Sequence, residues 1–346
     1  MKALVYHGNH NISLDDVPMP TIRDDRDAIL KVELSTICGS DIHIKEGIVP
    51  VKEGTILGHE FVGEVVETGT GVRNIRVGDR VAANCITSCG NCFYCKRGFI
   101  NHCEDGGWQF GYTIDGGQAE YVRIPHADSG LYKIPDGVSY KDVLYTGDIL
   151  STGYFGAERG EIQPGDIVVV IGSGPVGMCA MMSARLFGPA LIVAVDTIDE
   201  RLAVAKANGC ADITLNSIRD DVIGTILGLT DGRGADVSLE AAGVKATFDL
   251  AWQVVRPNGH VSIIALYGAT QELPMQDMGG KNLTIRSGWV DSVHMPELIR
   301  LIAGGRIKTD FLATHEAPLN DILNGYDIFG GKKDNCIKWL VTPYAG

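Results

Sequence analysis

No apolar run in this chain approaches the roughly 20 residues that a bilayer span needs; stretches such as Ile167–Ile171 stop after one turn's worth of chain. Clusters of Lys and Arg are equally missing. The 30 basic residues are outnumbered by 43 acidic ones, and the net charge of -13 is spread along the sequence. That distribution excludes the concentrated positive charge a nucleic-acid partner requires. No internal repeat or low-complexity tract is present. The first residues, Met1 to Tyr6, read as a short strand without the long apolar region of a secretory signal. A cytoplasmic protein with no membrane partner is therefore expected.

What is present points to a globular enzyme of two parts. Hydrophobic residues make up 45% and charged residues 21% of the chain, far from the balance of a disordered segment. At 346 residues one hydrophobic core would be stretched thin, so two domains are expected. The nine cysteines are an odd number, and four of them fall between Cys89 and Cys103. In a cytoplasmic chain such crowding points to metal thiolates more than to a disulfide framework.

The amino-terminal segment is strand-like and broken by glycines, as in Ala28–Leu34 and Phe61–Val66, an alternation that suits half-buried antiparallel sheet. The middle of the chain changes to short β-branched runs at 167–171, 191–195, 212–215, 237–240 and 260–265. Helical stretches lie between them, among them Val176–Leu186 and Glu200–Asn208, the latter followed by Gly209 as a plausible cap. Continuous apolar strands alternating with helices are the mark of βαβ units around a buried parallel sheet. After Trp289 come an amphipathic helix, Pro296–Gly304, and weaker strands ending in Cys336–Val341 that can rejoin the first domain. The fold class is α/β, with a β-rich domain beside a doubly wound parallel sheet.

Directly after the strand Ile167–Ile171 stands Gly172-Ser173-Gly174-Pro175-Val176-Gly177, a G-x-G-x-x-G between strand and helix. Gly172 permits the tight turn, Gly174 lets the backbone approach a pyrophosphate, and Gly177 lets helix and strand pack closely. Pro175 and Val176 open the helix whose amino terminus would face the phosphates. The next strand ends in Asp196, placed to hydrogen-bond an adenosine ribose, and its charge favours NAD over NADP. Arg201, five residues on, can meet a phosphate instead. A simple helix cap is the plainer role for Asp196.

Cys89, Cys92, Cys95 and Cys103 have the spacing C-x2-C-x2-C-x7-C. Four thiolates close a tetrahedron around zinc and leave no open position, so this site would be structural; an iron–sulfur cluster uses the same four donors. A second, dispersed set comprises Cys38, in Cys38-Gly39-Ser40-Asp41-Ile42-His43, and His59, in Gly58-His59-Glu60. A catalytic zinc needs three protein ligands and one open position, so a further donor must come from elsewhere in the chain. Taken alone, a cysteine such as Cys38 is more often a small buried hydrophobe and a histidine such as His59 more often a satisfied one than a metal ligand.

In order and over nearly the whole chain, these residues resemble the zinc-dependent alcohol dehydrogenases of the medium-chain dehydrogenase/reductase family. The resemblance is carried by the Cys38–His43 and Gly58–Val65 segments, by Val77-Gly78-Asp79-Arg80-Val81, by the four-cysteine lobe and by the glycine motif. It implies a GroES-like catalytic domain at 1–145, with a structural-zinc lobe at 85–105, a Rossmann NAD-binding domain at 146–289, and a return to the catalytic domain at 290–346. It also supplies the missing ligand. Tyr145-Thr146-Gly147-Asp148 with the following Ser151-Thr152-Gly153 is similar to the bacterial secondary alcohol dehydrogenase branch, in which Cys, His and Asp hold the zinc. The implied catalytic set is Cys38, His59 and Asp148, with Glu60 able to approach the metal or to serve as a neighbouring acid. Members of that branch often lack the four lobe cysteines and use NADP, whereas this chain has all four and Asp196.

The resemblance implies two zinc ions per chain, NAD as hydride acceptor, a small primary or secondary alcohol or its carbonyl partner as substrate, and a homotetramer or dimer. Ser40 would take the alcohol proton and His43 would pass it to solvent. Trp108, Tyr267 and Trp289 are candidates for the substrate wall, though single aromatics are more often core. The other readings are a polyol- or threonine-type dehydrogenase of the same family, and a nucleotide-binding regulatory protein without turnover.

Overall fold

The computed structural model describes residues 1–344, which form two compact units: Met1–Ser151 together with the chain from Asp291 onward, and Thr152–Val290. No helix among the described residues is long and apolar enough to cross a membrane.

The first unit opens with a hairpin, Lys2–Tyr6 against Ile12–Asp16. Its main sheet follows with β1 (Ala28–Thr36), β2 (Phe61–Thr68), β3 (Arg80–Ala83), β4 (Tyr121–Ile124) and β5 (Leu131–Lys133). β1, the longest of these, pairs antiparallel with both β2 and β4. Its inward residues Ala28, Leu30 and Val32 pack with Phe61, Val65, Val81 and Phe110 in one core. The alternation read from the sequence is that of a sheet with one face buried.

The second unit is a six-stranded parallel sheet: β6 (Ile167–Ile171), β7 (Leu191–Asp196), β8 (Ile213–Asn216), β9 (Ala235–Glu240), β10 (Val255–Ile263) and β11 (Thr284–Ser287). The order is β8-β7-β6-β9-β10-β11, the doubly wound arrangement of a dinucleotide-binding domain. Because helices cover both faces, β6 and β7 are buried almost throughout, which is why they read as unbroken apolar runs. One strand differs from expectation. β10 begins at Val255, not His260, and ends at Ile263, short of Ala265. The cause is a bulge at Pro257-Asn258-Gly259, where Ala235 pairs with Val255 but Val237 pairs with His260; proline and glycine in a strand hid its first half from a pattern search.

The chain then returns to the first unit through the helix Met295–Ala303 and two strands, β12 (Ala313–Pro318) and β13 (Lys338–Thr342), joined by the helix Ile322–Gly330. β12 and β13 are parallel, and β13 pairs antiparallel with β1 through Leu340↔Thr36 and Val341↔Ser35. Residues from both ends of the chain thus share one sheet. Leu4, Ile37, Leu57, Tyr326, Trp339 and Val341 pack in a common core.

Candidate active site

Cys38 stands immediately before a helix, Gly39–Lys45, in which Asp41 accepts the backbone N–H of Cys38 at 2.9 Å and so fixes the first turn. His59 and Glu60 lead into β2. Asp148 follows a 3-10 turn, Leu144–Gly147. A Cβ on Gly147 would stand 2.1 Å from the Ala83 carbonyl oxygen, so only glycine lets this turn lie against β3. These three separate pieces of chain deliver Cys38, His59, Glu60 and Asp148 to one buried point, with one donor atom from each within 4.8 Å of all the others.

The Cys38 thiol lies 3.6 Å from Asp148 Oδ2, and His59 Nε2 lies 3.2 Å from the same oxygen. Ser40 Oγ is 3.1 Å from His59 Nε2. On its other side the imidazole turns Nδ1 toward Asp41 Oδ1 at 3.3 Å. Asp41 is held in turn by Gln118 Nε2 at 3.0 Å, and the Tyr326 hydroxyl donates to Gln118 Oε1 at 2.7 Å. A histidine oriented by a carboxylate on its far nitrogen is the arrangement metal sites use to fix ring and tautomer.

Lys338, on β13, is fully buried beside this group; its Nζ donates to the Ile37 carbonyl at 2.9 Å and to Glu60 Oε2. Burial would pull the Lys338 ammonium down, but Glu60 and Cys38 outweigh it and push it up to about 12. It therefore stays charged. Burial raises the Cys38 thiol and the Glu60 carboxyl above their ordinary values, and raises Cys85, a further buried thiol near Asp148, well above its own. At His59 burial acts to lower the pKa, yet Asp41 and Asp148 together carry it well above the usual imidazole value.

A thiol, an imidazole and two carboxyl groups thus crowd one buried point, and Glu60 Oε1 is buried without a hydrogen-bond partner among the described residues. Such a set is costly unless a cation completes it. Sulfur, imidazole nitrogen and carboxylate oxygen are the donors zinc takes, so the residues fit that ion.

The lobe cysteines form a second group within the same 4.8 Å limit. Backbone N–H groups of Cys89 and Asp105 point at Cys103 Sγ at 3.2 and 3.4 Å, and that of Cys95 at Cys92 Sγ at 3.5 Å. Donors from the Cys95 and Glu104 backbone bring the Cys92 thiol down to about 6, while burial pushes Cys95 up to about 12. None of the nine cysteines, all among the described residues, is in a disulfide.

In the second unit, the glycine motif forms the turn from β6 into the helix Pro175–Arg185. A Cβ on Gly177 would sit 1.7 Å from Gly172 oxygen, which makes glycine obligatory there. Asp196 ends β7; its carboxylate accepts N–H groups from Ser173 at 2.6 Å, Thr197 at 2.7 Å and Ile198 at 3.0 Å. The Arg201 guanidinium comes within 3.5 Å of the place a Cβ would take on Gly174.

Of the three aromatic candidates, Trp108 meets His59 edge-on at 5.9 Å and stacks on Tyr112 at 5.1 Å. Tyr267 and Trp289 belong to the second unit; Tyr267 donates to Glu240 at 2.6 Å, and Trp289 is 59% exposed. His43 is partly buried, with Nδ1 lacking a partner among the described residues. Sequence reasoning did not find Lys338, Asp41 or Gln118. Lys338 left one trace, a lone cation inside the apolar run Cys336–Val341.

Two family models match the chain: the alcohol dehydrogenase GroES-like domain over residues 24–136 and the zinc-binding dehydrogenase over residues 175–304. An alcohol dehydrogenase of Cupriavidus necator is 37% identical, with 99% of each chain covered. A sorbitol dehydrogenase of Bacillus subtilis is 32% identical over 99% of this chain and 97% of its own. Among solved structures, the apo form of a zinc-dependent alcohol dehydrogenase from Streptococcus pneumonia superposes with a TM-score of 0.94 at 39% identity, covering 100% of this chain and 99% of that one.

Proposed function

The chain belongs to the zinc-dependent alcohol dehydrogenases of the medium-chain dehydrogenase/reductase family, and from that premise we propose how its residues divide the work. The protein is an oxidoreductase that interconverts alcohols and carbonyl compounds with zinc and a nicotinamide dinucleotide. We assign the catalytic zinc to Cys38, His59 and Asp148, with Glu60 as an exchangeable neighbour, and the structural zinc to Cys89, Cys92, Cys95 and Cys103. The observation that carries the assignment is the convergence of the first four on one buried point, with the Ser40 hydroxyl 3.1 Å from His59 Nε2.

When bound, zinc supplies Lewis acidity that makes an alcohol proton easier to remove, and the nicotinamide accepts the hydride. The chain's own groups do the rest. Asp41 holds the imidazole of His59 so that Nε2 faces inward. Lys338 anchors Glu60 and prevents its second oxygen from wandering. Ser40 is placed to receive the substrate proton, and His43, one turn further along the same helix, to carry it outward. Trp108 supplies an apolar wall beside His59.

Gly172, Gly174, Pro175, Val176 and Gly177 would receive the pyrophosphate, Asp196 the adenosine ribose, and Arg201 a neighbouring phosphate. NAD is the preferred form on this reading, since a carboxylate repels a 2′-phosphate. The substrate is a small primary or secondary alcohol; a polyol is the second reading, favoured by the sorbitol-type relative. We also place the protein in the cytoplasm, consistent with cysteines none of which is in a disulfide. The assembly on this reading is a homotetramer, with a dimer as the smaller form, and β11, one of the two edge strands of the six-stranded sheet, is the one we assign to a partner.

Initial rates with NAD and NADP on short primary, secondary, aromatic and polyol alcohols, beside the zinc content of the same sample, test the whole reading. About two zinc ions per chain and turnover with NAD support it. Preference for NADP removes the role given to Asp196, and turnover confined to polyols selects the second reading.

A further inference from the structure

Glu240 ends β9 and is completely buried. An isolated carboxylate in that position would be expensive, yet each of its oxygens is satisfied. Oε1 accepts the backbone N–H groups of Ala242 and Gly243, both at 2.9 Å, and Oε2 accepts the Tyr267 hydroxyl at 2.6 Å. Burial and the adjacent carboxylate hold the Tyr267 phenol above its ordinary value, so it is a permanent donor. One side chain thus clasps two separate backbone segments, the turn after β9 and the loop after β10.

These segments also touch each other and the glycine turn. A Cβ on Gly243, where φ is +77°, would stand 2.4 Å from the Leu266 oxygen, and one on Gly172 would lie 3.1 Å from Ala241 carbon and Ala242 Cβ. The backbone is continuous across all three, with Ala241 N–H bonded to Ile171 O at 2.8 Å and Ile264 N–H to Glu240 O at 3.0 Å. In the order β8-β7-β6-β9-β10-β11 the strand order reverses between β6 and β9. A dinucleotide lies across the carboxyl ends of the strands at that reversal, one mononucleotide on each side. Asp196, on β7, marks the adenosine side; the clasp stands on the other.

Resting on the reading of this crevice as the NAD site, we propose that the Glu240–Tyr267 clasp sets the backbone that receives the nicotinamide half of the cofactor, with Tyr267 as a positioning residue. It acts by holding the loop after β10 in its binding form before the ligand arrives, which spares the ordering cost.

The test is titration of the zinc-replete protein with NADH, followed by fluorescence, beside competition by AMP, which has no nicotinamide. Wild-type protein binds both. Tyr267→Phe, which keeps the ring and loses one hydrogen bond, weakens NADH on the order of fivefold and leaves AMP within about twofold. Glu240→Gln retains an oxygen for the two N–H groups and an amide for the hydroxyl, and binds NADH close to wild type. Equal weakening of NADH and AMP, or no weakening of NADH in Tyr267→Phe, overturns the proposal. Wild-type protein that bound neither nucleotide would remove the cofactor reading itself and the clasp's role with it.

Discussion

Asp196 Oδ2 accepts the backbone N–H of Ser173 at 2.6 Å, which ties the end of β7 to the middle of the glycine turn. The acid is thus part of the turn's own scaffold; Oδ1 already accepts the Thr197 and Ile198 N–H groups, and Oδ2, with one lone pair still unused, keeps capacity for a ribose hydroxyl.

Replacing Asp196 by Ser removes the charge and loosens the turn. A charge-assisted hydrogen bond is worth roughly 1.5–3 kcal/mol. The expected result is a fall of about 10- to 100-fold in kcat/KM with NAD, with NADP affected less, so that the NADP-to-NAD ratio rises. Steady-state kinetics with both cofactors measure this; an unchanged ratio would show that the carboxylate serves the turn alone.

At the metal group, Cys38→Ser should lower the zinc content from about two to about one per chain. Loss of several kcal/mol of transition-state stabilisation corresponds to at least a thousandfold loss of kcat. The far-ultraviolet circular dichroism should not change, because Cys38 supplies little to the core. Two zinc ions retained at full turnover would place the catalytic metal elsewhere.

Lys338 offers a stability test separate from catalysis. Removing one partner of a buried ion pair costs about 3–5 kcal/mol, so Lys338→Met should lower Tm by several degrees. The double variant Lys338→Met/Glu60→Gln, which leaves no uncompensated charge, should recover part of that loss. Equal Tm values for wild type and Lys338→Met would mean that Glu60 finds another counterion.

Asp291 is buried, its Oδ1 without a partner among the described residues, and burial holds its carboxyl up at about 6 against the pull of nearby backbone N–H groups. A carboxyl whose folded pKa is raised binds its proton more tightly in the folded state, so ionisation destabilises the fold as pH rises from 3.8 toward 6 and the full cost persists above it. Asp291→Asn should therefore raise Tm by a few degrees at pH 7.5, with a smaller gain at pH 5. Thermal melts at the two pH values check the sign, and a gain that grew on acidification would contradict it.

The parts of the molecule that could be read from the sequence are those written in local pattern. The apolar runs of β6 and β7, the glycine turn after β6 and the lobe cysteines each lie within a few dozen residues, and their periodicity or spacing is a direct consequence of backbone geometry. Cys38, His59 and Asp148 are scattered, and Asp148 entered only through family resemblance, because no local rule marks an aspartate that follows a 3-10 turn. Lys338 and Gln118 escaped for the same reason. Their partners lie far away in the chain: Lys338 is 278 residues from Glu60, and Gln118 is 77 from Asp41. The first half of β10 was lost because Pro257 and Gly259 break the strand pattern at a bulge.

The pairing of β13 with β1 has a consequence in time. A ribosome adding about 5–20 residues per second delivers Lys338 roughly 15–60 s after Cys38. During that interval Glu60 has no ammonium to meet and the sheet beside Thr36 lacks its neighbour. The ligand group is therefore completed long after Cys38 is made, and a chain cut short before β13 would carry Cys38, His59, Glu60 and Asp148 without the Lys338 ammonium and without the strand that pairs with β1.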